Sequence, residues 1–351
     1  MGNVLGKIKR NIEFPIFALI YAVFAILNKT GVVNNYVMQV VMLSCIHIMM
    51  AESVNILNGL TGLPTLGQAG FMSVGAYVSA MITTNFLPVK AMPAPAQVVI
   101  FLLVTVIGAS VAALLGFLIG APALRLQGDY LAIVTLGFCE VIRAIWRIVP
   151  VKIAGGAFGL NGVPRLANFF WIYLFMLLSV YFCRNYMDSS YGRSSLAIRD
   201  NEIAAETMGI DTFRYKTIAF ASSAFVAGVG GSMYAHLISY LHPDVFSYSK
   251  SSDFVIYLYA GGVGSISGAI MGAAALTILP EVLRFLQNWR LVIYGLLLLC
   301  VILLQPKGLF GGKEFAWLKL KTGGVQEFYF HDIIDWIKGI GKKKEKEGAV
   351  K

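Results

Sequence analysis

Residues 53–89 read SVNILNGLTGLPTLGQAGFMSVGAYVSAMITTNFLPV, a stretch without a single Asp, Glu, Lys or Arg. Equally uncharged runs extend over residues 91–124, 217–243 and 254–280. Each run is longer than the roughly 20 apolar residues that a helix needs to cross a hydrocarbon core of about 30 Å. The chain is therefore expected to cross a membrane several times.

The composition supports this interpretation. Of the 351 residues, 58% are hydrophobic and 13% are charged, whereas a soluble domain typically has about 25% charged residues. This shortage excludes a soluble globular protein, a disordered chain and a small disulfide-stabilised module. The net charge of +10 is confined to the ends and loops, so no nucleic-acid partner is expected. The four cysteines lie far apart in apolar stretches and are expected to pack as small buried side chains.

Hydropathy predicts an all-α fold, a polytopic transmembrane helical bundle of about 8–10 spans with broken or re-entrant glycine-rich segments. Ten crossings are expected, near residues 12–28, 36–57, 66–85, 97–120, 131–149, 168–186, 217–240, 253–264, 266–280 and 291–305. The eighth (253–264) and the ninth (266–280) are too short to be ordinary crossings.

The basic residues predict the orientation of the chain. If both termini are cytoplasmic, 19 of the 28 Lys and Arg lie inside, as the positive-inside rule requires. Three regions follow: residues 1–35 (a cytoplasmic head and the first span), 36–310 (the transmembrane domain, with a cytoplasmic loop at 188–216) and 311–351 (a basic tail). In the tail, apolar residues from Phe328 to Ile337 precede several lysines, a pattern typical of a surface helix on anionic lipid. A disordered tail is the alternative.

Two glycine-rich stretches interrupt the apolar runs. The first is NGLTGLPTLGQAG at residues 58–70, and the second is GGVGSISG at residues 261–268. Inside a membrane, broken backbone must be buried in protein or line a watery cavity, so paired broken segments indicate a transport pathway. The alternative is close helix packing through a ladder of Gly264, Gly268 and Gly272.

No recognisable enzymatic chemistry appears in the sequence. The segment GLFGGK at residues 308–313 lacks the spacing and the hydroxyl residue of a phosphate-binding loop, and no hydrolase or metalloprotease signature is present. The four histidines are scattered, which argues against a metal site. We therefore expect no catalytic residue, no metal and no cofactor.

A few ionisable residues fall within predicted spans. Intramembrane charge is costly and commonly functional. Glu140 and Arg143 are three residues apart, so on a helix they share a face and can form a structural ion pair. Glu52 and His47 are five residues apart and need not touch. A proton-coupled carrier would need an intramembrane carboxylate such as Glu52, so this alternative function stays open.

The loop at 188–216 is the long polar segment between the sixth and seventh spans. Asp200 and Asn201 are candidate N-caps, and Glu202 falls in the positive first turn. Residues 203–208 are then expected to form a short helix that ends at Gly209. Such a helix, with its alanine surface, suits docking into a groove of another protein, and a solvated connecting loop is the alternative.

Several segments together resemble one known family. NGLTGLPTLGQAGFMSVGAY (58–77), LQGDYLAIVTLGFCEVIR (126–143) and GRSSLAIRDNEIAAETMGIDTFRYKTIAF (192–220) are similar to the M-type permease subunits of bacterial branched-chain amino acid ABC importers. GGAFGLNGVP (155–164) and AGGVGSISGAIMG (260–272) are also similar, and all five segments occur along the chain in the order of that family. The resemblance covers roughly residues 36–310.

The resemblance implies several partners in a bacterial inner membrane. They are a second, H-type permease, two cytoplasmic ABC ATPase subunits, an extracytoplasmic substrate-binding protein and membrane lipid. It also implies an ATPase-coupling helix, although the match to the pattern Glu-Ala-Ala-x-x-x-Gly is imperfect because Ile203 occupies the Glu position. The implied coupling residues are Arg199, Asp200, Glu202, Ala204, Ala205, Glu206 and Gly209.

The translocation pathway is expected along the two broken stretches. The candidate lining residues are Asn58, Gly59, Gln68, Gly262, Gly264 and Ser265. Related permeases import urea, short amides, other amino acids or nucleosides, so the sequence leaves the substrate open. A self-sufficient secondary carrier that uses Glu52 is the alternative from another class, and an intramembrane enzyme has no supporting motif.

Overall fold

The architecture of the chain is helical. The structure, a computed structural model, describes residues 34–86, 93–124, 126, 128–305, 308, 314–315 and 327–328. The helices are α1 (Asn35–Val54), α2 (Gln68–Met81), α3 (Ala94–Ala123), α4 (Asp129–Ile148), α5 (Val151–Ala154), α6 (Phe169–Asp188), α7 (Ser190–Asp200), α8 (Glu202–Thr207), α9 (Thr212–Ile238), α10 (Tyr248–Gly261), α11 (Ile266–Val282) and α12 (Arg290–Leu304).

Shorter elements extend or connect these helices. Two π-helical segments, Asn55–Thr61 and Ile82–Phe86, continue α1 and α2. Segments of 3-10 helix occupy Gly156–Phe158, Pro243–Phe246 and Leu283–Trp289, the last of which is kinked at Gln287. The strands contain two residues each: β1 (Leu160–Asn161) pairs antiparallel with β2 (Tyr240–Leu241), and β3 (Glu314–Phe315) pairs parallel with β4 (Glu327–Phe328).

The observed helices confirm an all-α polytopic bundle. Each predicted crossing from the second to the tenth coincides with a helix, whereas the first, at residues 12–28, lies outside the described residues. Within the described part of the chain, five helical stretches are long and apolar enough to cross a membrane by length and composition. They are Asn35–Thr61, Pro95–Ala123, Phe169–Asp188, Thr212–Ile238 and Ile266–Gln287.

The eighth and ninth predicted spans are a pair of helices joined by a glycine turn, and of the two the eighth is short. Helix α10 has 14 residues, which at 1.5 Å per residue span about 21 Å, less than the roughly 30 Å of a hydrocarbon core. Helix α11 has 17 residues, starts after the turn at residues 262–265 and continues into the 3-10 segment. The stretch Ile266–Gln287 is long and apolar enough to cross a membrane, so the expectation that the ninth span is too short is wrong. The chain is broken at the turn, as the glycine-rich sequence predicts.

Helix α9 lies at the centre of the bundle and packs against α1, α2 and α3. Glycines allow the closest approaches. A Cβ on Gly75 would lie 2.5 Å from the Cα of Gly228, and a Cβ on Gly228 would lie 2.8 Å from the Cα of Ala109. Small residues at such crossings let helix backbones approach within van der Waals contact, which is a main source of stability between helices in lipid.

The connections between helices gather at two ends of the bundle. We call residues 149–168 and 239–247 the sheet end, because β1 and β2 pair there. The side-chain amide of Asn85 donates to the carbonyl of Ile153 (2.6 Å) and fastens the end of the second π-helix to the sheet end. We call residues 62–67, 189–211 and 262–265 the loop end. The loop end contains both glycine-rich breaks and the long polar segment.

The expected surface helix of the tail is only partly covered by the structure. Phe328 lies in β4 rather than in a helix. Residues 329–351, which include the lysine run, lie outside the described residues, as do the head and the first predicted span. The interpretation of the tail as a lipid-binding helix therefore stays a prediction.

Candidate functional site

Three residues before the first broken stretch, at Asn55, the chain changes from the α-helical geometry of α1 to π-helical geometry. Such π-helical turns are rare and are frequently found at functional sites. The π-helix ends at Gly62, which has a φ of +70°, a conformation that a glycine adopts without steric cost. The side-chain oxygen of Asn58 then accepts hydrogen bonds from the backbone N–H (3.2 Å) and the hydroxyl (3.1 Å) of Thr65. Asn58 thus shapes the loop that leads to α2.

The second broken stretch is the turn between α10 and α11. Gly262 and Gly264 have φ values of +133° and +79°. Ser265 caps α11, because its hydroxyl accepts a hydrogen bond from the N–H of Gly268 (2.7 Å). Gly268 and Gly272 face Gly261 of α10 at contact distance. The packing interpretation is confirmed for these two residues, whereas Gly264 belongs to the turn and not to a helix face.

The two broken stretches meet, and Asn55 joins them. Its side-chain oxygen accepts a hydrogen bond from the N–H of Gly264 (3.0 Å), and its side-chain nitrogen donates to the carbonyl of Ser265 (3.3 Å). A Cβ on Gly59 would lie 2.8 Å from the backbone nitrogen of Gly264. We call Asn55, Gly59, Gly262, Gly264 and Ser265 the glycine junction. Sequence reasoning missed Asn55, although a polar amide inside an uncharged run three residues before Asn58 was the signal available.

Gln68 lies apart from the junction in a buried polar cluster. Its amide oxygen accepts from the hydroxyl of Ser53 (2.9 Å), and its amide nitrogen donates to the hydroxyl of Ser223 (3.0 Å). Gln68 has no solvent exposure. The cluster joins α1, α2 and α9, and its internal hydrogen bonds satisfy groups that would be costly to leave unpaired in a membrane interior.

The polar segment at the loop end folds into α7 and α8, which meet at Asn201. The side chain of Asn201 accepts from the N–H of Ala204 (3.0 Å) and so caps α8, which confirms one of the two predicted caps. Asp200 is instead the last residue of α7. Gly209, with a φ of +82°, follows the end of α8. Residue 209 therefore stops the helix as the sequence predicts.

Polar contacts fix α8 to the start of α9. The ammonium group of Lys216 pairs with the carboxylate of Glu202, and the hydroxyl of Thr212 donates to the carboxylate of Glu206 (2.7 Å). Both carboxylates belong to α8, and both partners belong to α9. The position of α8 is thus set by its neighbour helix and not by loop conformation alone.

Exposed apolar side chains lie on α8 beside the exposed polar residues Glu206 and Thr207. Ile203 is 75% exposed and Met208, the residue after the helix, is 83% exposed, whereas Ala205 is only 5% exposed. Ala204 is also exposed. Ala205 therefore seats the helix against the rest of the chain, and Ile203, Ala204 and Met208 present the surface. A cleft of about 480 Å³ lies beside α8 and is bordered by residues 61–64 and 198–203.

Arg199 connects α7 to the glycine junction. One of its terminal nitrogens donates to the carbonyl of Gly59 (2.9 Å). Its other nitrogens donate to the carboxylate of Asp200 (3.2 and 3.1 Å). The structure thus brings together one predicted coupling residue and one predicted pathway residue, which are 140 residues apart in the sequence.

At the opposite face of the bundle, α4 is fastened to the sheet end by charged groups. Arg143 pairs with Glu140 (2.6 Å), as the spacing predicts. The carboxylate of Glu140 also accepts from the N–H of Tyr248 (3.0 Å), the first residue of α10. A hydrogen bond from Arg147 and the nearby positive charges hold the pKa of Asp244 below its ordinary value. This group of charges therefore stabilises the loop that precedes α10.

Glu52 and His47 are both buried within helix packing. Glu52 has no solvent exposure, and its backbone carbonyl lies 4.0 Å from the thiol of Cys183 in α6. A ring nitrogen of His47 lies 2.8 Å from the hydroxyl of Thr277 in α11. The two residues therefore contact different neighbouring helices, and neither borders the cleft at the loop end.

Comparison with known proteins gives consistent similarities. Residues 36–302 match the family described as the permease component of branched-chain amino acid transport systems. The permease protein LivM of a high-affinity branched-chain amino acid transport system, from Escherichia coli strain K12, is 29% identical over 335 residues, which cover 84% of this chain and 74% of the relative.

More distant relatives match shorter parts. A probable branched-chain amino acid transport permease protein LivM of Methanocaldococcus jannaschii is 24% identical over 239 residues, 60% of this chain and 69% of the relative. The autoinducer 2 import system permease protein LsrC of Yersinia enterocolitica is 30% identical over 143 residues, 38% of this chain and 40% of the relative. No solved structure matches the chain.

Proposed function

The chain belongs to the permease family of branched-chain amino acid ABC transport systems, and on this premise we propose that it forms one half of the translocation pathway of an ATP-driven importer. Multi-pass insertion follows from its apolar helices. In the proposed assembly, a paralogous H-type permease supplies the other half of the pathway. Two ABC ATPase subunits bind on the cytoplasmic side, and a substrate-binding protein delivers the amino acid from the other side.

The observation that carries this proposal is the geometry of α8. A short capped helix is held at the loop end by two polar contacts with α9, while Ile203 and Met208 remain exposed. An apolar helix surface next to water is typical of a docking site for another protein. We infer that Ile203, Ala204 and Met208 contact the ATPase, whereas Ala205 and Gly209 set the shape of the helix.

The remaining predicted coupling residues act by fastening α8 and ending α7. Glu202 and Glu206 fasten α8 to α9, and Arg199 with Asp200 ends α7. In this proposal the segment moves as one piece when the ATPases close, because each end is fixed by hydrogen bonds. Rigid-body movement of packed helices is a common form of conformational change.

The glycine junction is the proposed contribution of this chain to the pathway. Irregular backbone from the two glycine-rich stretches meets there, at the loop end, because Gly59 approaches Gly264, and Asn55 bonds Gly264 and Ser265. Irregular backbone at membrane depth is tolerated where it is buried in protein or lines a cavity. Of the other two predicted pathway residues, Asn58 supports the loop after the π-helix. Gln68 supports the packing of α1, α2 and α9. Asn58 and Gln68 are therefore proposed to maintain the shape of the pathway.

The loop end is proposed to face the cytoplasm, together with both termini, in a bacterial inner membrane. The excess of Lys and Arg on that side supports this orientation. The sheet end, including residues 155–164, then faces outward. We propose that the binding protein docks there and that the apolar helix faces contact lipid or the second permease.

Reconstitution tests the proposed function. The chain, the second permease, the two ATPases and the binding protein are placed in proteoliposomes, and uptake of radiolabelled leucine, isoleucine and valine is measured. Uptake is expected only with ATP and all partners present. Uptake by this chain alone under a pH gradient would refute the proposal in favour of a secondary carrier that uses Glu52. Preferential uptake of a different solute would keep the importer and change its substrate.

A further inference from the structure

Arg199 occupies an unusual position between two parts of the molecule. Its backbone belongs to α7, in the segment that carries α8, but its side chain reaches the π-helical end of α1 and donates to the carbonyl of Gly59 (2.9 Å). The side chain is partly exposed, at 38%. A hydrogen bond from a charged donor is among the stronger contacts that a backbone carbonyl can make.

The surrounding glycines leave space for this side chain. A Cβ on Gly62 would lie 2.8 Å from the Cγ of Arg199, and a Cβ on Gly264 would lie 3.3 Å from one of its terminal nitrogens. Both glycines also have positive φ values, +70° and +79°. Two residues of the glycine-rich stretches are therefore the walls of a slot that fits an arginine.

The arginine is also coupled to α8 through a short, well-fixed connection. Asp200 binds two nitrogens of Arg199 (3.2 and 3.1 Å), and the next residue, Asn201, caps α8. Only Asp200 separates Arg199 from Asn201 in the chain. A displacement of α8 thus reaches the guanidinium group without passing through a flexible linker.

We propose that Arg199 is the positioning residue that transmits the movement of α8 to the glycine junction. When the ATPases move α8, the guanidinium group pulls on the carbonyl of Gly59 and on the turn at Gly264. The π-helix and the turn between α10 and α11 then move together, because Asn55 joins them. This inference rests on the proposed function and assigns Gly62 and Gly264 a role in coupling.

The test compares uptake with ATP hydrolysis in the complete reconstituted complex. In the variant Arg199→Gln, we expect ATPase binding to persist and uptake per ATP hydrolysed to fall about tenfold, a typical size for coupling between two sites. The variant Arg199→Lys keeps the charge but lacks the forked group, so it is expected to fall between the wild type and Arg199→Gln.

Arg193→Gln is the matched control. Arg193 lies on the same helix, is also exposed, and also donates to a backbone carbonyl (2.7 Å), but that carbonyl belongs to Asp188, only five residues away at the end of α6. Its uptake per ATP is expected to equal that of the wild type. Thermal unfolding of each purified variant separates loss of stability from loss of coupling, since a merely structural arginine changes the melting temperature and leaves the ratio constant.

The outcomes separate this inference from the proposed function. If the wild-type complex imports and Arg199→Gln keeps the wild-type ratio, or if Arg193→Gln loses as much, the role of Arg199 is refuted alone. If Arg199→Gln fails to assemble, uptake per ATP hydrolysed is measured in Arg199→Lys instead. A value below that of the wild type supports the role of Arg199, and the wild-type value refutes it. A wild-type complex that shows no ATP-dependent uptake refutes the proposed function and the role of Arg199 with it.

Discussion

Replacing Ile203 by Ala tests whether α8 is the ATPase contact. The substitution removes three carbon atoms from a residue that is 75% exposed in the free chain. At about 0.8 kcal/mol per buried methylene, and scaled by that exposed fraction, docking loses about 1.8 kcal/mol, so the Kd for the ATPase pair rises about 20-fold. The helix itself keeps its cap and its contacts with α9, so insertion and folding are expected to remain normal.

The assay titrates purified ATPases onto the permease pair held in lipid nanodiscs and reads the Kd from biolayer interferometry. Phe158→Ala is the matched control, because Phe158 is 76% exposed and lies at the sheet end. Its Kd for the ATPases is expected to stay within about twofold of the wild type, since an exposed side chain far from an interface contributes little. A Kd for Ile203→Ala within twofold of the wild type, or an equal loss in Phe158→Ala, would refute the assignment of α8.

Three further substitutions test other parts of the site. Gly62→Ala forces a Cβ to within 2.8 Å of the Cγ of Arg199 at a φ of +70°, so uptake per ATP hydrolysed should fall while the complex assembles; an unchanged ratio would contradict the slot. Gln68→Leu removes an amide bonded to two buried serine hydroxyls and should cost about 1–3 kcal/mol of stability, seen as a lower Tm in detergent; an equal Tm would count against this role. Asp244→Asn removes a carboxylate whose pKa the hydrogen bond from Arg147 lowers. A carboxylate with a lowered pKa stabilises the fold above the ordinary aspartate pKa of about 4. The Tm difference between Asp244→Asn and the wild type should therefore be present at neutral pH and vanish as the pH falls through the lowered pKa. A difference that does not depend on pH would contradict a stabilising role of the ionised carboxylate.

Most of the fold follows from the sequence because the membrane imposes a strong length and charge constraint. Runs without charge locate the helices, and glycine and proline locate the breaks, as at residues 58–70. The short eighth span is also explained, since α10 ends at a turn where Gly262 and Gly264 have positive φ values that only glycine adopts easily.

The contacts between distant segments were beyond what the sequence predicts. Arg199 is 140 residues from Gly59, and neither hydropathy nor helix periodicity relates two such positions. The orientation of α8 was likewise not visible, because a helix of six residues is too short for its apolar pattern to choose a face. Ala205, expected on the docking surface, faces inward, and Ile203, which departs from the family pattern, faces out.

The position of Asn55 also affects how the chain is made. Its hydrogen-bond partners, Gly264 and Ser265, are synthesised 209 and 210 residues later. A polar amide and an open π-helical turn are expensive in lipid until such partners arrive. The π-helix that follows α1 therefore completes its contacts only after the turn between α10 and α11 has left the ribosome. A nascent chain that stops before residue 262 lacks both partners of Asn55, so the polar side chain of this residue stays without the contacts that it makes in the finished protein.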